Sequence, residues 1–465
     1  MIQLKKSGPR IYNLFPRILG SMDKWDAHLN RIAEMGFDWV FMNPLSYPGF
    51  SGSLYAVKDH YKFNPTFAPE GAEKPESWAP LVELISECHA KGIKFMYDLV
   101  INHVSIDSDL LETHPEWFVK KWALIDNAIG KPVKFFKLTD IPDDTQYSSE
   151  RYYIEERIAN PVAIDPADAR VEIIWGDLAE IDYDHPRQDL IQYWKDLVDF
   201  YIDLKMDGFR CDAAYSVPST VWEPIIARAK YQNPNIVFVA ETLGCRLEEL
   251  DQVLTSGFDY MFCSSKWWDF TEPWLIDQYN MFKDDAVSIS FPESHDTERL
   301  AKETEGRQDV QEFRYFFAAF FSAGVLMPIG YEYGFQKKLD VVDMEPRDWE
   351  KPKFNISPFI KKVNNFKKSI ECLNENGPIK HFDYGDGAIL ILRKSTIDGN
   401  QHLLLVYNKD WYQNQLVQLD NLRYFLDLDA PIQSVTIDME KELVEKNSWS
   451  KDLKPNEYFL FLQEK

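Results

Sequence analysis

The amino-acid sequence predicts an α/β protein: a parallel (β/α)8 TIM barrel with an inserted subdomain after strand 3 and a C-terminal antiparallel β-sandwich. Eight short runs of apolar and β-branched residues predict the barrel, because eight is its strand number. Longer segments with helical apolar periodicity lie between several of these runs, as expected for repeated β-α units. A change to period-two alternation near the C-terminus predicts the β-sandwich.

The barrel strands are predicted from runs bounded by turn-forming residues or by amphipathic segments. In chain order they are 10–14, 39–43, 95–101, 208–212, 237–241, 259–262, 288–292 and 324–328. Helices are predicted from apolar residues that recur every three or four positions. The clearest examples are 25–35, 78–91, 190–204 and 310–321.

One interval is longer than a barrel loop should be, and we interpret it as a subdomain above the barrel mouth. The predicted division is a barrel over 1–103 and 187–379, an inserted subdomain over 104–186, and a β-sandwich over 380–465. Four aromatic residues of the insert are either lid residues or its own core. They are Trp117, Phe118, Trp122 and Trp175. The sandwich strands are predicted at 388–393, 402–408, 416–419, 432–438 and 458–462.

Composition narrows the class of partner. The formal net charge of -24 repels polyanions, so nucleic acid and anionic membrane surfaces are excluded and a neutral substrate fits better. Aromatic residues make up 15% of the chain and serve either as ordinary core or as platforms for sugar faces. The sequence contains no apolar stretch of membrane-spanning or signal-peptide length, and its five cysteines are scattered, so we expect a cytoplasmic protein.

Acidic residues and histidines stand at the ends of several predicted strands. The segments are Tyr97-Asp98-Leu99-Val100-Ile101-Asn102-His103, Gly208-Phe209-Arg210-Cys211-Asp212, Phe238-Val239-Ala240-Glu241 and Ser294-His295-Asp296. The carboxyl ends of barrel strands face the active site. A charge buried there is costly unless it is paired, so each such residue needs an interaction partner or a functional role. Each residue alone is open to a structural reading, such as Asp98 anchoring Arg210. Together they predict a catalytic site.

Two of these carboxylates suit retaining glycoside hydrolysis. Arg210 lies two residues before Asp212, so both side chains point to one face of the strand and the guanidinium keeps the carboxylate ionised. Burial and anionic neighbours should raise the pKa of Glu241, as a proton donor requires. In such a pair the carboxyl groups lie about 5 to 5.5 Å apart.

The remaining polar residues are predicted to contact the same sugar. Asp296 is placed to hold hydroxyl groups and to favour an oxocarbenium-like state, and His103 and His295 to hydrogen-bond hydroxyls. Metal ligation by His103 and His295 is the rival interpretation, although neither a third nearby histidine nor a suitable helical spacing accompanies them.

The chain resembles the α-amylase family of glycoside hydrolases over nearly its whole length. Four motifs match in order: Asp98 to His103, Gly208 to Asp212, Glu241, and His295-Asp296. The resemblance implies that Asp212 is the nucleophile, Glu241 the acid/base and Asp296 the transition-state-stabilising carboxylate. Tyr55-Ala56-Val57-Lys58-Asp59 resembles the family's tyrosine segment, which implies that Tyr55 stacks on the sugar that is cleaved. Gly330-Tyr331-Glu332-Tyr333-Gly334 resembles the end of the eighth strand.

The sequence also departs from the family pattern. Many α-amylases follow the nucleophile with a Lys-His pair that helps to build a calcium site, whereas this chain has Ala213-Ala214-Tyr215-Ser216. Asn102 matches a position that often ligates calcium, but one ligand cannot define a site that needs six to eight oxygens. We therefore expect no cofactor and no metal.

These observations predict a retaining α-glycosidase that acts on α-1,4-glucans such as maltodextrin, glycogen or starch fragments. A glucanotransferase or maltosyltransferase that uses the same covalent intermediate is the alternative, because two segments resemble the maltosyltransferase branch. They are Thr113 to Phe118 and Glu345 to Lys368. A non-catalytic amylase-like binding protein is a more remote alternative, since such relatives lack a catalytic carboxylate. The sequence leaves linkage preference and oligomeric state open.

Overall fold

Eight parallel strands close into a barrel in the computed structural model, which describes residues 8–140, 142, 147, 149–165, 168–385 and 387–465. The barrel strands are β1 (Arg10–Asn13), β2 (Trp39–Met42), β3 (Lys94–Leu99), β4 (Gly208–Cys211), β5 (Val237–Ala240), β6 (Tyr260–Phe262), β7 (Val287–Ser290) and β8 (Gly324–Pro328). Their order around the barrel is β1-β8-β7-β6-β5-β4-β3-β2. Each of the eight predicted segments contains one barrel strand, so the predicted barrel is confirmed.

The barrel interior is filled by alternate residues of the strands, as the period of two requires. Met96 of β3 and Val239 of β5 belong to this inner cluster. Asp98 and Glu241 each follow two residues later, so they project toward the same interior at the barrel mouth. At Gly208 an added Cβ would lie 2.5 Å from a Val237 methyl group, which explains glycine at that position.

Helices cover the outside of the barrel, and the four predicted ones are present. The α-helices are Pro16–Leu19, Asp26–Glu34, Ala79–Ala90, Leu110–Thr113, Gln188–Asp203, Ser219–Gln232, Leu247–Thr255, Trp274–Phe282, Leu300–Glu303, Gln308–Phe321, Ser357–Ser369 and Leu422–Phe425. The larger ones bury one face each against the barrel strands in a continuous apolar cluster.

The segment between β3 and β4 consists mainly of antiparallel strands. They are His103–Ser105, Lys120–Asp126, Lys131–Phe136, Tyr152–Ile158, Val162–Asp165, Asp168–Ile174 and Leu178–Glu180. Trp117 and Phe118 are buried in the core, whereas the Trp175 residue is 49% exposed and Trp122 is half-buried. The first two aromatic residues therefore belong to the core that the insert shares with the barrel rather than to a separate core of the insert, and Trp175 is the most exposed of the four.

The C-terminal region is an antiparallel β domain of two sheets. Its strands are β9 (Ile379–Phe382), β10 (Ile389–Ser395), β11 (Gln401–Asn408), β12 (Gln415–Leu419), β13 (Ile432–Val435), β14 (Lys441–Leu443), β15 (Trp449–Leu453) and β16 (Tyr458–Glu464). One sheet has the order β9-β10-β11-β16-β13-β14, and the other pairs β12 with β15. Sequence analysis missed β9, β14 and β15, which are short or mostly solvent-exposed.

The larger sheet of this domain joins the two parts of the molecule. Ile389 and Ile391 of β10 face the smaller sheet, whereas Leu390 and Leu392 pack with the barrel helices. Both faces of β10 are therefore buried, and this explains its uninterrupted apolar sequence.

Within the described ranges, no helix combines the length and apolar character needed to cross a membrane. All five cysteines are free thiols, and four of them are buried.

Candidate active site

The polar residues predicted at the strand ends lie together at one mouth of the barrel. β3 supplies Asp98, β4 leads into Arg210 and Asp212, and β5 leads into Glu241. In the register of β3 and β4, Arg210 is the direct neighbour of Asp98. Since all eight strands are parallel, their carboxyl ends meet at this edge and bring distant parts of the chain into one site.

Arg210 is the centre of the site. Its guanidinium is only 2% exposed, and its Nη1 donates hydrogen bonds to Asp98 Oδ1 at 2.8 Å and to Asp212 Oδ1 at 2.7 Å. Its Nη2 lies 3.7 Å from Glu241 Oε2 and 3.8 Å from Asp296 Oδ2. One buried cation therefore contacts four carboxylates, and it compensates part of their mutual repulsion.

The two carboxylates assigned to bond cleavage have opposite pKa shifts. Burial would raise the pKa of Asp212, but Arg210 and His103 outweigh burial and lower it. Burial raises the pKa of Glu241 to about 7, against the attraction of Arg210 and with help from the charges of Asp212 and Asp296. Asp212 is consequently ionised at neutral pH, while a large fraction of Glu241 holds a proton. The predicted directions of both shifts agree with the structure.

Glu241 is fixed by two main-chain donors. The Ala213 N–H donates to Glu241 Oε2 at 2.9 Å, and the Leu243 N–H donates to Oε1 at 2.5 Å. Ala213 has a φ of 39°, in the left-handed region, which turns its N–H toward Glu241. Ala213 thus has a role through its backbone, and its residue type gave no signal of this role.

Tyr55 links two sides of the site. Its hydroxyl donates to Asp98 Oδ2 at 2.6 Å and lies 2.7 Å from His295 Nε2, and its ring stacks on the His295 ring with centroids 5.8 Å apart. Because the single hydroxyl proton goes to Asp98, we assign the His295 proton to Nε2. Burial lowers the pKa of His295 to about 4, so the imidazole is neutral.

Asp296 and His103 complete the predicted set. Asp296 is the most open of the three carboxylates, with its side chain 52% exposed, and its Oδ2 lies 3.1 Å from His295 Nε2. His103 is buried, and its Nε2 lies 3.2 Å from the Tyr55 main-chain oxygen. All eight predicted site residues therefore belong to one connected group.

Sequence reasoning missed two amide side chains in this group. Asn43 Nδ2 donates to the Tyr55 hydroxyl at 3.0 Å, and Asn102 Nδ2 donates to Asp212 Oδ2 at 3.2 Å. Asn43 directly follows Met42, the last residue of β2. The expectation that polar residues at the carboxyl ends of barrel strands face the active site therefore applies to Asn43 as well. Asn102 had been considered only as a calcium ligand.

Comparisons with known proteins agree with this architecture. Residues 3–120 match the family model described as glycogen debranching enzyme, glucanotransferase domain. The chain is 23% identical over 395 residues to an alpha-1,4-glucan:maltose-1-phosphate maltosyltransferase of Burkholderia pseudomallei, a match that covers 83% of this chain and 31% of that protein. It is 23% identical over 249 residues to alpha-amylase 3 of Dictyoglomus thermophilum, covering 52% and 42% of the two chains. The chain therefore spans less than half the length of these curated relatives.

Among solved structures, the α-amylase of Geobacillus thermoleovorans in complex with acarbose superposes with a TM-score of 0.70 at 17% identity and covers 98% of both chains. An α-amylase from Lactobacillus plantarum gives a TM-score of 0.69 at 20% identity, again over 98% of both chains. At these identities the likeness establishes the fold.

Fold and site together define a (β/α)8 barrel protein with clustered carboxylates at the barrel mouth and a C-terminal β domain. In fold and in sequence the chain is similar to the α-amylase family of glycoside hydrolases, and it also has a likeness to the maltosyltransferase branch.

Proposed function

We propose that this protein is a retaining α-glycosidase that cleaves α-1,4-glucans through a covalent glycosyl-enzyme intermediate. The observation that carries the proposal is the pair of carboxylates with opposite pKa shifts around one buried arginine. Retaining hydrolysis needs an ionised nucleophile and a protonated acid in the same site. Asp212 and Glu241 satisfy both needs near neutral pH.

In the first step, a carboxylate oxygen of Asp212 forms a bond to the anomeric carbon while the glycosidic C–O bond breaks. The Glu241 proton passes to the departing oxygen, so the leaving chain departs as an alcohol. In the second step, Glu241 removes a proton from water, whose oxygen attacks the anomeric carbon and releases Asp212. The sugar keeps its anomeric configuration after two inversions.

The remaining residues bind and polarise the sugar in this proposal. Asp296 is open to the barrel mouth, where its carboxylate can accept hydrogen bonds from two hydroxyls of a distorted ring. Neutral His295 holds Asp296 on one side and Tyr55 on the other. Asp98 fixes Arg210 and Tyr55, and His103 lies beside the Tyr55 backbone. The exposed stretch of the Tyr55 ring serves as the platform for the sugar.

The reaction is proposed to need no metal. Asn102, which matches a frequent calcium position, uses its amide N–H on Asp212, and Arg210 already neutralises the neighbouring carboxylates. Across the described part of the chain, one group of three potential metal ligands lies within bonding reach of a common point. It consists of His114, Glu116 and Asp189, which are partly or fully exposed and lie outside the carboxylate network. No such group lies at Asn102 in the described residues, and its single amide oxygen cannot supply the six to eight oxygens that a calcium site needs.

Transfer to another sugar is the second candidate function. It is favoured by the family model, which describes a glucanotransferase domain, and by the maltosyltransferase among the relatives. The same intermediate serves both reactions, and exclusion of water decides between them. Incubation with maltoheptaose alone, and then with maltose 1-phosphate and glycogen, separates the outcomes. Shorter chains indicate hydrolysis, longer and shorter chains together indicate disproportionation, and elongated glycogen indicates maltosyl transfer.

Replacing the nucleophile tests the proposal directly. Asp212→Asn is expected to reduce turnover of maltoheptaose by at least about a thousandfold, because an amide cannot form the glycosyl ester. Binding of the same oligosaccharide should stay measurable by calorimetry, which serves as the control for folding. Turnover that persists at the wild-type level in Asp212→Asn would contradict the assignment of this residue and the mechanism built on it.

The proposal extends to a cytoplasmic location. Its support is the set of five free cysteines, which a reducing compartment keeps as thiols.

A further inference from the structure

Both oxygens of the Asp212 carboxylate are engaged, and two different residues hold them. Arg210 Nη1 donates to Oδ1 at 2.7 Å, and Asn102 Nδ2 donates to Oδ2 at 3.2 Å. The last torsion of an aspartate side chain is broad when nothing restrains it. With one donor on each oxygen, the plane of this carboxylate is fixed.

Asn102 is itself held on both sides by the segment between β3 and β4. The Tyr183 hydroxyl donates to the Ile101 main-chain oxygen at 2.5 Å, and His103 pairs with Glu180 in an antiparallel strand pair. The backbone around Asn102 therefore cannot shift without breaking contacts to this segment. Its amide is presented to Asp212 from a fixed position.

The other end of the Asn102 amide is unusual. Its Oδ1 is buried and has no hydrogen-bond partner among the residues that the structure describes. A buried acceptor without a partner costs free energy, so a side chain kept there for packing alone would be unfavourable. Among the described residues, the one partner of the Asn102 side chain is Asp212.

We propose that Asn102 is a positioning residue for the nucleophile, an inference that rests on the proposed function. It exchanges no proton or electron during the reaction. While an Asp212 oxygen forms the bond to the anomeric carbon and the glycosidic bond breaks, Asn102 and Arg210 keep the carboxylate plane aligned with that carbon. This role differs from cation ligation, which would use the amide oxygen.

Two substitutions separate this role from packing and from cation ligation. Asn102→Ala removes the donor, whereas Asn102→Asp preserves shape and places a carboxylate against Asp212. If Asn102 is a donor that positions Asp212, Asn102→Asp should slow the reaction at least as much as Asn102→Ala. A packing role predicts little change of the burst rate in Asn102→Ala. A cation-ligand role predicts that Asn102→Asp is less harmful than Asn102→Ala, because the aspartate keeps an oxygen ligand.

The assay is the pre-steady-state burst of fluoride release from α-maltosyl fluoride. Fluoride departs without the proton of Glu241, so the burst rate reports on attack by Asp212. We expect at least about a tenfold slower burst in Asn102→Ala, as for loss of one hydrogen bond to a charged carboxylate, with little change in KM. Asn102→Asp should be slower still because of charge repulsion.

Asn160→Ala is the matched control. Asn160 is also a buried asparagine whose Oδ1 has no partner within the described ranges, and its Nδ2 donates to the Leu178 main-chain oxygen, away from Asp212. This variant should lower the melting temperature while its burst rate stays within about twofold of wild type. A full wild-type burst rate in Asn102→Ala, or harm in Asn102→Ala alone, would overturn the assignment of Asn102. If the wild-type protein releases no fluoride from α-maltosyl fluoride, the proposed function is overturned instead, and the positioning role with it.

Discussion

Replacing Arg210 with alanine is expected to destabilise the protein by an amount that grows with pH. The guanidinium is 2% exposed and is hydrogen-bonded to Asp98 and Asp212, so its removal leaves buried carboxylates without their cation. Breaking a buried ion pair by removing one partner costs about 3 to 5 kcal/mol in other proteins. Part of that cost here should depend on whether Asp212 is ionised.

The direction of this pH effect follows from the protonation of Asp212, first in the wild-type protein and then in the variant. In the wild-type protein the pKa of Asp212 is lowered, because Arg210 and His103 overcome the effect of burial. Its carboxylate therefore adds stability above the unfolded-state pKa of about 3.9, and this stability is lost as pH falls through the native pKa. Near neutral pH, Asp212 is ionised in both states and adds no further pH dependence.

The variant behaves in the opposite way. Without Arg210, the largest contribution that lowers the pKa of Asp212 is lost, so burial and the nearby Glu241 carboxyl shift this pKa upward. The native variant then binds a proton that the unfolded chain does not. Its stability falls by up to about 1.36 kcal/mol per pH unit, or at most about 2 kcal/mol between pH ~6 and ~7.5.

Urea unfolding followed by tryptophan fluorescence at these two pH values measures the effect. The gap in unfolding free energy between wild type and Arg210→Ala should widen at the higher pH, by at most about 2 kcal/mol. Arg210→Lys is the control, because its ammonium keeps a positive charge beside the carboxylates and should show a smaller pH-dependent gap. An equal gap at both pH values would refute the reasoning that Arg210 controls the ionisation of Asp212.

Two further predictions follow from buried titratable groups. Because the pKa of Glu241 is raised to about 7, kcat/KM for maltoheptaose should fall about tenfold per pH unit above that value, and a profile that stays flat well into alkaline pH would exclude Glu241 as the acid. Lys367 is fully buried, and its Nζ donates to the main-chain oxygens of Ala319 and Ser322, each at 2.8 Å, and to that of Leu373. Lys367→Met should lower the free energy of unfolding by roughly 3 kcal/mol without changing KM, because the three main-chain oxygens lose their donor. The exposed control Lys362→Met should change this free energy by less than about 0.5 kcal/mol. Equal effects of the two substitutions would argue against a stabilising role of the Lys367 hydrogen bonds.

The barrel was predictable because its signals are local. Each strand is a short apolar run, and period-two alternation places Asp98, Arg210 and Glu241 on the inner face without knowledge of their neighbours. The order of β-α units then brings the strand ends to one edge, since the connections between parallel strands are right-handed and short. The group of strand-end residues that forms the candidate site could therefore be named from the sequence.

The C-terminal domain was only partly predictable. β10 and β11 are long apolar runs, whereas β14 is exposed at all three positions and has no alternation to detect. Such an edge strand is defined by its hydrogen bonds to β13 rather than by burial of its own side chains. Its sequence therefore carries little information about its conformation.

The sequence alone determined the fold class, the identity of the strand-end carboxylates and the directions of the Asp212 and Glu241 pKa shifts. Tertiary structure decided which atoms meet. It placed the Ala213 N–H on Glu241 through a left-handed turn, and it turned the amide of Asn102 onto the nucleophile. These contacts depend on backbone torsions and on the packing of the segment between β3 and β4. Neither quantity is encoded in residue type or spacing, because each arises from contacts between positions far apart in the chain.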